Sequence, residues 1–365
     1  MKYNKTCSMA RFSPQIQIQK QVVQNKSVRT SVAVLVFAFF LSSASLGFLV
    51  LQTKQLLKNQ YVAYTAPADE DVVFTTPIFP VGVNPQTKLI TEKPGVDSYF
   101  DEQFTNETEG KTPSKAMSWF PKLLGKLALF NWYQNLASLS SRILVIQPGE
   151  RKEQIADHFG KILGWTITEK EEFLKSVEDA EPSLKEGEFS PGTYTVAKGA
   201  KPVDVAPLVI KRFEDEVLSR YGEDVEAVVP LNDALTIASL LEREAYDFTD
   251  MRQISGVIWN RLFVDMRLQI DATLQYAKGS NPNQPWWPQV RPNDKNIVSE
   301  FNTYKTTGLP PAPIANPSLD AILAALNPKK TDCMYYFHDK DGGFHCTKTY
   351  EEHVTLLKEY YGRGK

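Results

Sequence analysis

The segment Ala234–Ala245, ALTIASLLEREA, combines an apolar helical pattern with a carboxylate on its apolar face. At about 100° per residue, Ile237, Leu240 and Leu241 form one stripe along a helix. Glu244 falls inside that stripe. Burial on such a face raises the pKa of a carboxyl, which keeps a proton available for general acid catalysis near neutral pH. This segment alone leaves open a solvated helix end with an intrahelical ion pair.

The two residues before Glu244 occupy different faces of the same helix. Glu242 lies at the margin of the stripe, and Arg243 points away from it. Because the face of Glu242 is more exposed, burial would raise its pKa less. We therefore predict the general acid at Glu244, with Glu242 as the alternative.

Composition limits the classes of protein that this chain can be. With 365 residues, 42% of them hydrophobic, it can hold two or more domains and a sizeable core. A net charge of −2 gives no reason to expect a nucleic-acid partner. The three cysteines contain no CxxC pair, so neither a zinc knuckle nor a disulfide-dense scaffold is predicted.

Four residues near the C-terminus could suggest a metal site: Cys333, His338, His345 and Cys346. Their spacing matches no standard zinc pattern, and no metal is expected. A disulfide between the two cysteines would suit a location outside the cytoplasm. A turn centred on Asp341-Gly342 would place Cys346 opposite Phe337, however, four residues from Cys333, and this argues against the bond.

The N-terminal part of the chain carries a membrane signal. The run Ser31–Leu51 contains no charged residue and is long enough to span a bilayer. Basic but no acidic residues precede it, which predicts a cytoplasmic tail at 1–30, a transmembrane helix at 31–52 and an extracytoplasmic remainder. A cleaved signal peptide is the alternative, because Ser42-Ser43-Ala44 resembles a cleavage site.

Two segments of different character follow the predicted anchor. Residues 53–140 are predicted to be a spacer, without sustained periodicity up to 118 and with a possible amphipathic helix at 119–137. That helix could lie on the membrane surface or pack on the next domain. Residues 141–221 predict a small α+β module suited to binding or positioning, with these elements: strand Ile143–Ile146, helix Lys152–Leu163, helix Glu169–Val177 capped by Thr168, strand Thr193–Val196 and a helix from Pro202.

The remainder, 222–362, carries the residues that could take part in catalysis. Helix 234–245 is predicted to be capped by Asn232 or Asp233, and Asp250 and Asp271 are predicted to cap the next two helices. The loop Gly279–Arg291 is rich in proline and tryptophan and could form a wall of a sugar-binding groove. A proline-rich run then leads to the last predicted elements: helix Leu319–Leu326 and a hairpin of Met334–Phe337 with Phe344–Thr347.

An ordered set of blocks in 141–355 resembles a known family. The blocks are ASLLEREA, NRL, MRLQIDAT, FNTYKTTGLPPAPIANPSLDAILAALNP and HDKDGGFHCTKTYEEH. They resemble the signature blocks of the YceG/MltG family of membrane-anchored endolytic murein transglycosylases. The resemblance implies an α+β fold with a LysM-like module at 141–221 and a catalytic domain at 222–362.

Within those blocks, the resemblance places the catalytic glutamate at Glu244. The family block reads E-K-E-T, and this chain has Ala245 where the threonine would stand, so a hydroxyl that could orient the carboxylate is missing. The family's LQTDPT reads LQIDAT here, with Ile270 and Ala272 at the changed positions.

The reaction that the resemblance implies is endolytic cleavage, without water, of the β-1,4 bond between MurNAc and GlcNAc in nascent glycan strands. Glu244 would protonate the glycosidic oxygen and then take the proton of the MurNAc 6-hydroxyl, leaving a 1,6-anhydro end and terminating glycan polymerisation. Neither a metal nor an organic cofactor is required. Ordinary glycoside hydrolases need two carboxylates, whereas one suffices here because the nucleophile is a hydroxyl of the substrate. A hydrolytic muramidase and a non-catalytic peptidoglycan-binding scaffold are the alternatives.

Seven polar residues near the blocks are candidate substrate contacts, each with a structural alternative as a helix cap, a loop brace or part of the scaffold. They are Asn260, Arg261, Gln269, Asp271, Asn302, Thr303 and Tyr304. The resemblance implies peptidoglycan strands, the inner membrane and a cell-wall synthesis complex with penicillin-binding proteins as partners. The expected location is the inner membrane, with a cytoplasmic N-terminus and an extracytoplasmic catalytic domain.

Overall fold

The structure is a computed structural model that describes residues 77–99, 141–280 and 283–362. The predicted anchor at 31–52 and the predicted helix at 119–137 lie outside these residues. Within the described ranges, no helix is both long and apolar enough to cross a membrane.

The described residues form a mixed α+β fold, as predicted, with three two-stranded antiparallel sheets among them. The strands are β1 (Val83–Asn84), β2 (Leu89–Ile90), β3 (Ser141–Ile146), β4 (Gly192–Ala197), β5 (Tyr335–His338) and β6 (Phe344–Thr347). The helices are α1 (Lys152–Leu163), α2 (Ile167–Glu178), α3 (Pro202–Glu216), α4 (Glu223–Glu226), α5 (Leu231–Glu244), α6 (Phe248–Phe263), α7 (Asp271–Gly279), α8 (Leu319–Leu326) and α9 (Tyr350–Tyr361).

The 141–221 module packs its helices against a single two-stranded antiparallel sheet. Strands β3 and β4 pair with Leu144 opposite Tyr194. The rings of Phe159, Phe173 and Tyr194 meet in the core beneath them. Helix α2 begins two residues earlier than predicted, because Thr166 rather than Thr168 forms a reciprocal capping box with Glu169.

Helices α5, α6 and α8 form the centre of the 222–362 region. Helix α8, LDAILAAL, is buried along nearly its whole length, and its alanines allow close approach to α5 and α6. Ser239 of α5 fixes the proline-rich run, since its Oγ accepts a hydrogen bond from the backbone N–H of Ile314 at 3.0 Å. These contacts hold the C-terminal end of α5, where Glu244 stands.

The predicted caps of this region are corrected. Helix α5 follows Pro230 without a side-chain cap, so neither Asn232 nor Asp233 serves as one. Asp247 caps α6 and accepts from the backbone N–H of Asp250. The carboxylate of Asp250 is thereby left for other contacts.

Residues 77–99 were predicted to belong to a spacer, but they pack on the 222–362 region. Phe79, Val83 and Val96 are buried. The backbone N–H of Gly82 donates to the carbonyl of Leu326 at 2.9 Å. Short apolar runs between turns carry too little periodicity to reveal such packing in the sequence.

Asn316 joins the 141–221 module to the 222–362 region. Its side chain is fully buried, and its Oδ1 accepts from the backbone N–H groups of Gly187 and Phe189, both at 2.9 Å. Its Nδ2 donates to the carbonyl of Glu150 at 3.0 Å and to the carboxyl of Glu186 at 2.8 Å. One amide therefore satisfies four polar groups across the junction.

Candidate active site

Glu244 is the last residue of α5 and lies partly buried against the β5–β6 hairpin. The hydroxyl of Tyr336 donates to its Oε2 at 3.1 Å. Burial raises the pKa of Glu244 to about 7 and outweighs the hydrogen bond from Tyr336, while the nearby charge of Asp271 raises it further. The C-terminal end of a helix also disfavours a negative charge. Both the protonated and the ionised form of the carboxyl are thus populated near neutral pH.

The hairpin that carries Tyr336 also carries a histidine–aspartate pair. Strand alternation places Tyr336 and His338 on one face of β5. The Nε2 atom of His338 lies 2.9 Å from Oδ2 of Asp250 on α6. This pair ties the hairpin to α6 beside Glu244, and a positive charge on His338 lowers the pKa of Glu244.

Asp271 provides a second carboxylate near Glu244. It is the first residue of α7, where Ile270 is the N-cap and no side chain caps the helix, so its predicted capping role is wrong. The hydroxyl of Tyr304 donates to Oδ1 of Asp271 at 2.6 Å. Two tyrosine–carboxyl pairs, Tyr336 with Glu244 and Tyr304 with Asp271, therefore meet at this site.

Asn302 and Thr303 were predicted as substrate contacts, but both are fully buried and hold the loop that presents Tyr304. The side-chain amide of Asn302 donates to the carbonyls of Lys295 and Ile297 and accepts from the backbone N–H of Tyr304. The hydroxyl of Thr303 accepts from the backbone N–H of Ile270. Their polar atoms are hydrogen-bonded within the protein. Both residues therefore brace the loop, and the prediction that they contact substrate is corrected.

Asn260 and Arg261 are corrected in the same way. The amide of Asn260 donates to the carbonyls of Thr331 and Cys333. The guanidinium of the buried Arg261 donates to the carbonyls of Met334 and Leu268. Gln269, by contrast, is exposed at a left-handed backbone position with φ 53° beside Asp271, and it stays a candidate contact.

Glu242 is hydrogen-bonded to the residue before α8, whereas Glu244 is hydrogen-bonded to the hairpin. The Oε2 atom of Glu242 accepts from the backbone N–H and the hydroxyl of Ser318, at 3.0 and 2.7 Å. Ser318 in turn is the N-cap of α8. Glu242 is thus committed to holding α8, and the geometry favours Glu244 as the acid.

A disulfide joins Cys333 and Cys346, whose Cα atoms lie 5.7 Å apart, contrary to the expectation from the hairpin register. The register places Cys346 opposite Tyr336 instead of Phe337. The chain before β5 also stays beside β6, since the backbone N–H of Met334 donates to the carbonyl of Thr347 at 2.8 Å. Among the described residues no group of side chains is arranged to hold a metal ion.

The sequence did not reveal Tyr336, His338 or Asp250 as members of the site. The alternation of β5 was the available signal, because two polar aromatic side chains two residues apart share one face of a strand. Asp250 was interpreted as a cap, a role that Asp247 takes.

The chain is similar in sequence to proteins of a known family. The YceG-like family matches residues 122–359 of the chain. An endolytic murein transglycosylase of Bacillus subtilis is 36% identical over 176 residues, which are 48% of this chain and 48% of that protein. One of Streptococcus pneumoniae (strain D39) is 32% identical over 176 residues, 48% of this chain and 32% of that protein. The matched segment therefore spans half or less of these relatives.

The solved structures include a similar fold. The crystal structure of a putative YceG-like protein from Listeria monocytogenes superposes with a TM-score of 0.52 at 29% identity, covering 71% of this chain and 89% of that one. Since the family match extends over well more than half of the chain, from 122 to 359, this chain belongs to the YceG-like family.

Proposed function

We propose that this protein is an endolytic lytic transglycosylase that cleaves the MurNAc–GlcNAc β-1,4 bond of peptidoglycan and leaves 1,6-anhydro-MurNAc ends. The observation that carries the proposal is Glu244, a carboxyl with a pKa of about 7 that accepts a hydrogen bond from Tyr336. The relatives from B. subtilis and S. pneumoniae, both endolytic murein transglycosylases, support the same reaction.

In the proposed mechanism, Glu244 acts first as an acid and then as a base. It donates its proton to the glycosidic oxygen as the bond to C1 of MurNAc breaks, and Asp271 stabilises the positive charge that develops at C1. The Glu244 carboxylate then removes the proton of the MurNAc 6-hydroxyl, whose oxygen closes onto C1. This restores the protonated acid, and no water enters the product. A group that must both give and accept a proton works best with a pKa near the working pH.

Tyr336 supplies a hydroxyl to Glu244 that position 245 does not. Ala245 has no side-chain donor. The hydroxyl of Tyr336 reaches the carboxyl from the hairpin instead, at 3.1 Å. We therefore assign Tyr336 as the residue that orients the acid.

A hydrolytic muramidase is the second candidate, and Asp271 is the observation that favours it. A hydrolase needs a second carboxylate near the scissile bond, and Asp271 is close enough to raise the pKa of Glu244. In that case Asp271 would activate a water molecule.

The two candidates differ in the product ends, which mass spectrometry of muropeptides released from purified peptidoglycan resolves. The transglycosylase predicts ends lighter by one water than reducing ends. Reducing ends would favour the muramidase, and no release of fragments would favour a binding scaffold.

The proposal extends to the location and partners of the protein. The uncharged run at 31–52 and the basic residues before it support a membrane anchor with a cytoplasmic N-terminus. The Cys333–Cys346 disulfide suits an oxidising, extracytoplasmic compartment. The β3–α1–α2–β4 order supports a LysM-like, glycan-binding module. An enzyme so placed could end nascent strands within a complex containing penicillin-binding proteins.

Replacing Tyr336 with Phe is expected to shift the alkaline limb of the pH profile upward. The Tyr336 hydroxyl stabilises the carboxylate of Glu244, so its loss raises the pKa of the acid. The protonated acid then persists to higher pH, while the less well oriented carboxyl lowers the maximal rate by about tenfold. The measurement is the pH dependence of kcat/KM for glycan cleavage.

Tyr335 provides the matched control, because it lies on the opposite face of β5 and packs against the ring of Tyr350. Its replacement with Phe should leave the alkaline limb in place. An unchanged limb in the Tyr336→Phe variant would contradict the assignment of Tyr336.

A further inference from the structure

Arg243 holds a guanidinium that the described residues leave without a polar partner. The side chain is partly buried, and its Nε atom is enclosed without a hydrogen bond. No ion pair or hydrogen bond joins it to another side chain in the described ranges, and burial lowers its pKa. An enclosed N–H donor without a partner costs free energy, which a hydrogen bond to an anionic ligand would recover.

Two arginines of the described residues, Arg252 and Arg212, contrast with Arg243. Arg252 donates to the carbonyl of Asn327 and pairs with Asp97. Arg212 stacks on an aromatic ring but also pairs with Glu216 at 2.8 Å. Both of these guanidinium groups are thus satisfied by partners within the protein.

The guanidinium of Arg243 lies between an aromatic ring and a glycine. The guanidinium carbon lies 4.0 Å from the ring centroid of Trp287, in the proline- and tryptophan-rich loop. A Cβ atom at Gly149 would lie 3.4 Å from Nη1 of Arg243, an ordinary van der Waals contact, so the guanidinium packs beside Gly149. The guanidinium therefore lies against Trp287 and Gly149, and Arg243 itself precedes Glu244 by one residue in α5.

The neighbouring glutamates do not neutralise Arg243 by direct contact. Glu242 is committed to Ser318, and Glu244 is bonded to Tyr336. Near neutral pH Glu244 is also protonated for part of the time. The positive charge of Arg243 is consequently available to a ligand in the site.

We propose that Arg243 binds a carboxylate of the muramyl unit next to the scissile bond, an inference that rests on the proposed function. A guanidinium matches a carboxylate in a planar, bidentate geometry, and stacking on Trp287 orients that plane. Two sources carry this chemistry in a glycan strand: the carboxylates of a stem peptide, and the lactyl carboxylate that is freed when the stem is removed. Arg243 thereby selects muramyl glycans over neutral ones.

The test compares Arg243→Met with wild type on strands bearing stem peptides and on strands stripped of them. We expect KM to rise about tenfold or more on the strand type that supplies the carboxylate, with kcat changed by less than about threefold. The strand type that shows the rise identifies the source. Arg243→Lys should recover part of the affinity, because it retains the charge without the fork.

Two controls separate ligand binding from a structural role. Methyl esters of the same strands should abolish the difference between wild type and Arg243→Met. Arg220→Met removes another guanidinium whose nitrogens are enclosed without partners, in the turn after α3, and should leave KM unchanged. An unchanged KM for Arg243→Met on both strand types, or a loss that persists on the esters, overturns the proposal.

Binding of the same strands, measured by calorimetry in the Glu244→Gln background, tests Arg243 without turnover. There Arg243→Met should weaken the binding of the acidic strands and leave that of their esters unchanged. If wild type releases no anhydro ends, the proposed function fails. If Glu244→Gln binds the acidic strands equally well with and without Arg243→Met, the role of Arg243 is overturned, whether or not the enzyme cuts.

Discussion

Replacing Glu244 with Gln is expected to reduce glycan cleavage by roughly a thousandfold or more. Glutamine is close to glutamate in size and keeps an oxygen for the Tyr336 hydroxyl, which donates at 3.1 Å, but it can neither protonate the leaving oxygen nor accept the proton of the 6-hydroxyl. Fold stability should be unchanged or slightly higher, because burial raises the pKa of Glu244 and thus disfavours its charged form. The measurement is the rate of fragment release, with the thermal midpoint recorded in parallel.

Glu242→Gln is the matched control, two residues away in the same helix. Its side-chain oxygen can still accept from Ser318, so cleavage should stay near the wild-type rate. Weakening the charged hydrogen bonds should cost roughly 1 kcal/mol of unfolding free energy. Retained cleavage in Glu244→Gln together with loss in Glu242→Gln would transfer the acid to Glu242.

Replacing Asn316 with Ala is expected to lower the free energy of unfolding by roughly 3–5 kcal/mol. The change deprives the N–H groups of Gly187 and Phe189 of their acceptor and the carbonyl of Glu150 and the carboxyl of Glu186 of a donor. These groups lie at a buried junction where water cannot easily replace the amide. Chemical denaturation monitored by circular dichroism measures the loss.

Asn316→Asp tests the two halves of the amide separately. Aspartate keeps the acceptor for Gly187 and Phe189 but places a second carboxyl against Glu186, whose pKa burial already raises to about 8. Its destabilisation should therefore increase with pH, whereas that of Asn316→Ala should depend on pH much less. A loss below about 1 kcal/mol in Asn316→Ala would contradict the role of this junction.

Elements with a strong period and clear flanking signals were predictable from the sequence. Helices α1 and α8 begin and end where predicted, because a regular apolar face is bounded by Pro148-Gly149 before α1 and by Ser318 before α8. The start of α2 was shifted because two threonines stood at plausible cap positions. Competition between similar caps is settled by local geometry that the pattern does not contain.

The apolar surroundings of Glu244, the proposed acid, were predictable, but its hydrogen-bond partners were not. Glu244 could be located because a helical wheel is a local property of one segment. Its hydrogen bond to Tyr336 spans 92 residues, and that of Asp250 to His338 spans 88, so both depend on how the hairpin docks. Asn302 and Thr303 show the converse: polar residues near a site are equally compatible with lining it and with bracing it from inside.

The disulfide shows how a small register difference changes chemistry. A shift of one residue in the β5–β6 pairing, with the chain before β5 held beside β6 through Met334 and Thr347, brings Cys333 to Cys346. Register is set by the turn and by the docked face of a hairpin, and cysteine spacing alone does not determine it.

The most direct test of the account is cleavage of purified peptidoglycan in water labelled with heavy oxygen, followed by mass spectrometry of the new ends. Intramolecular closure by the 6-hydroxyl predicts anhydro ends without label, and these should disappear in the Glu244→Gln variant. Reducing ends that carry one labelled oxygen per cut, formed by wild type and lost in Glu244→Gln, would contradict the transglycosylase and show that water is the nucleophile.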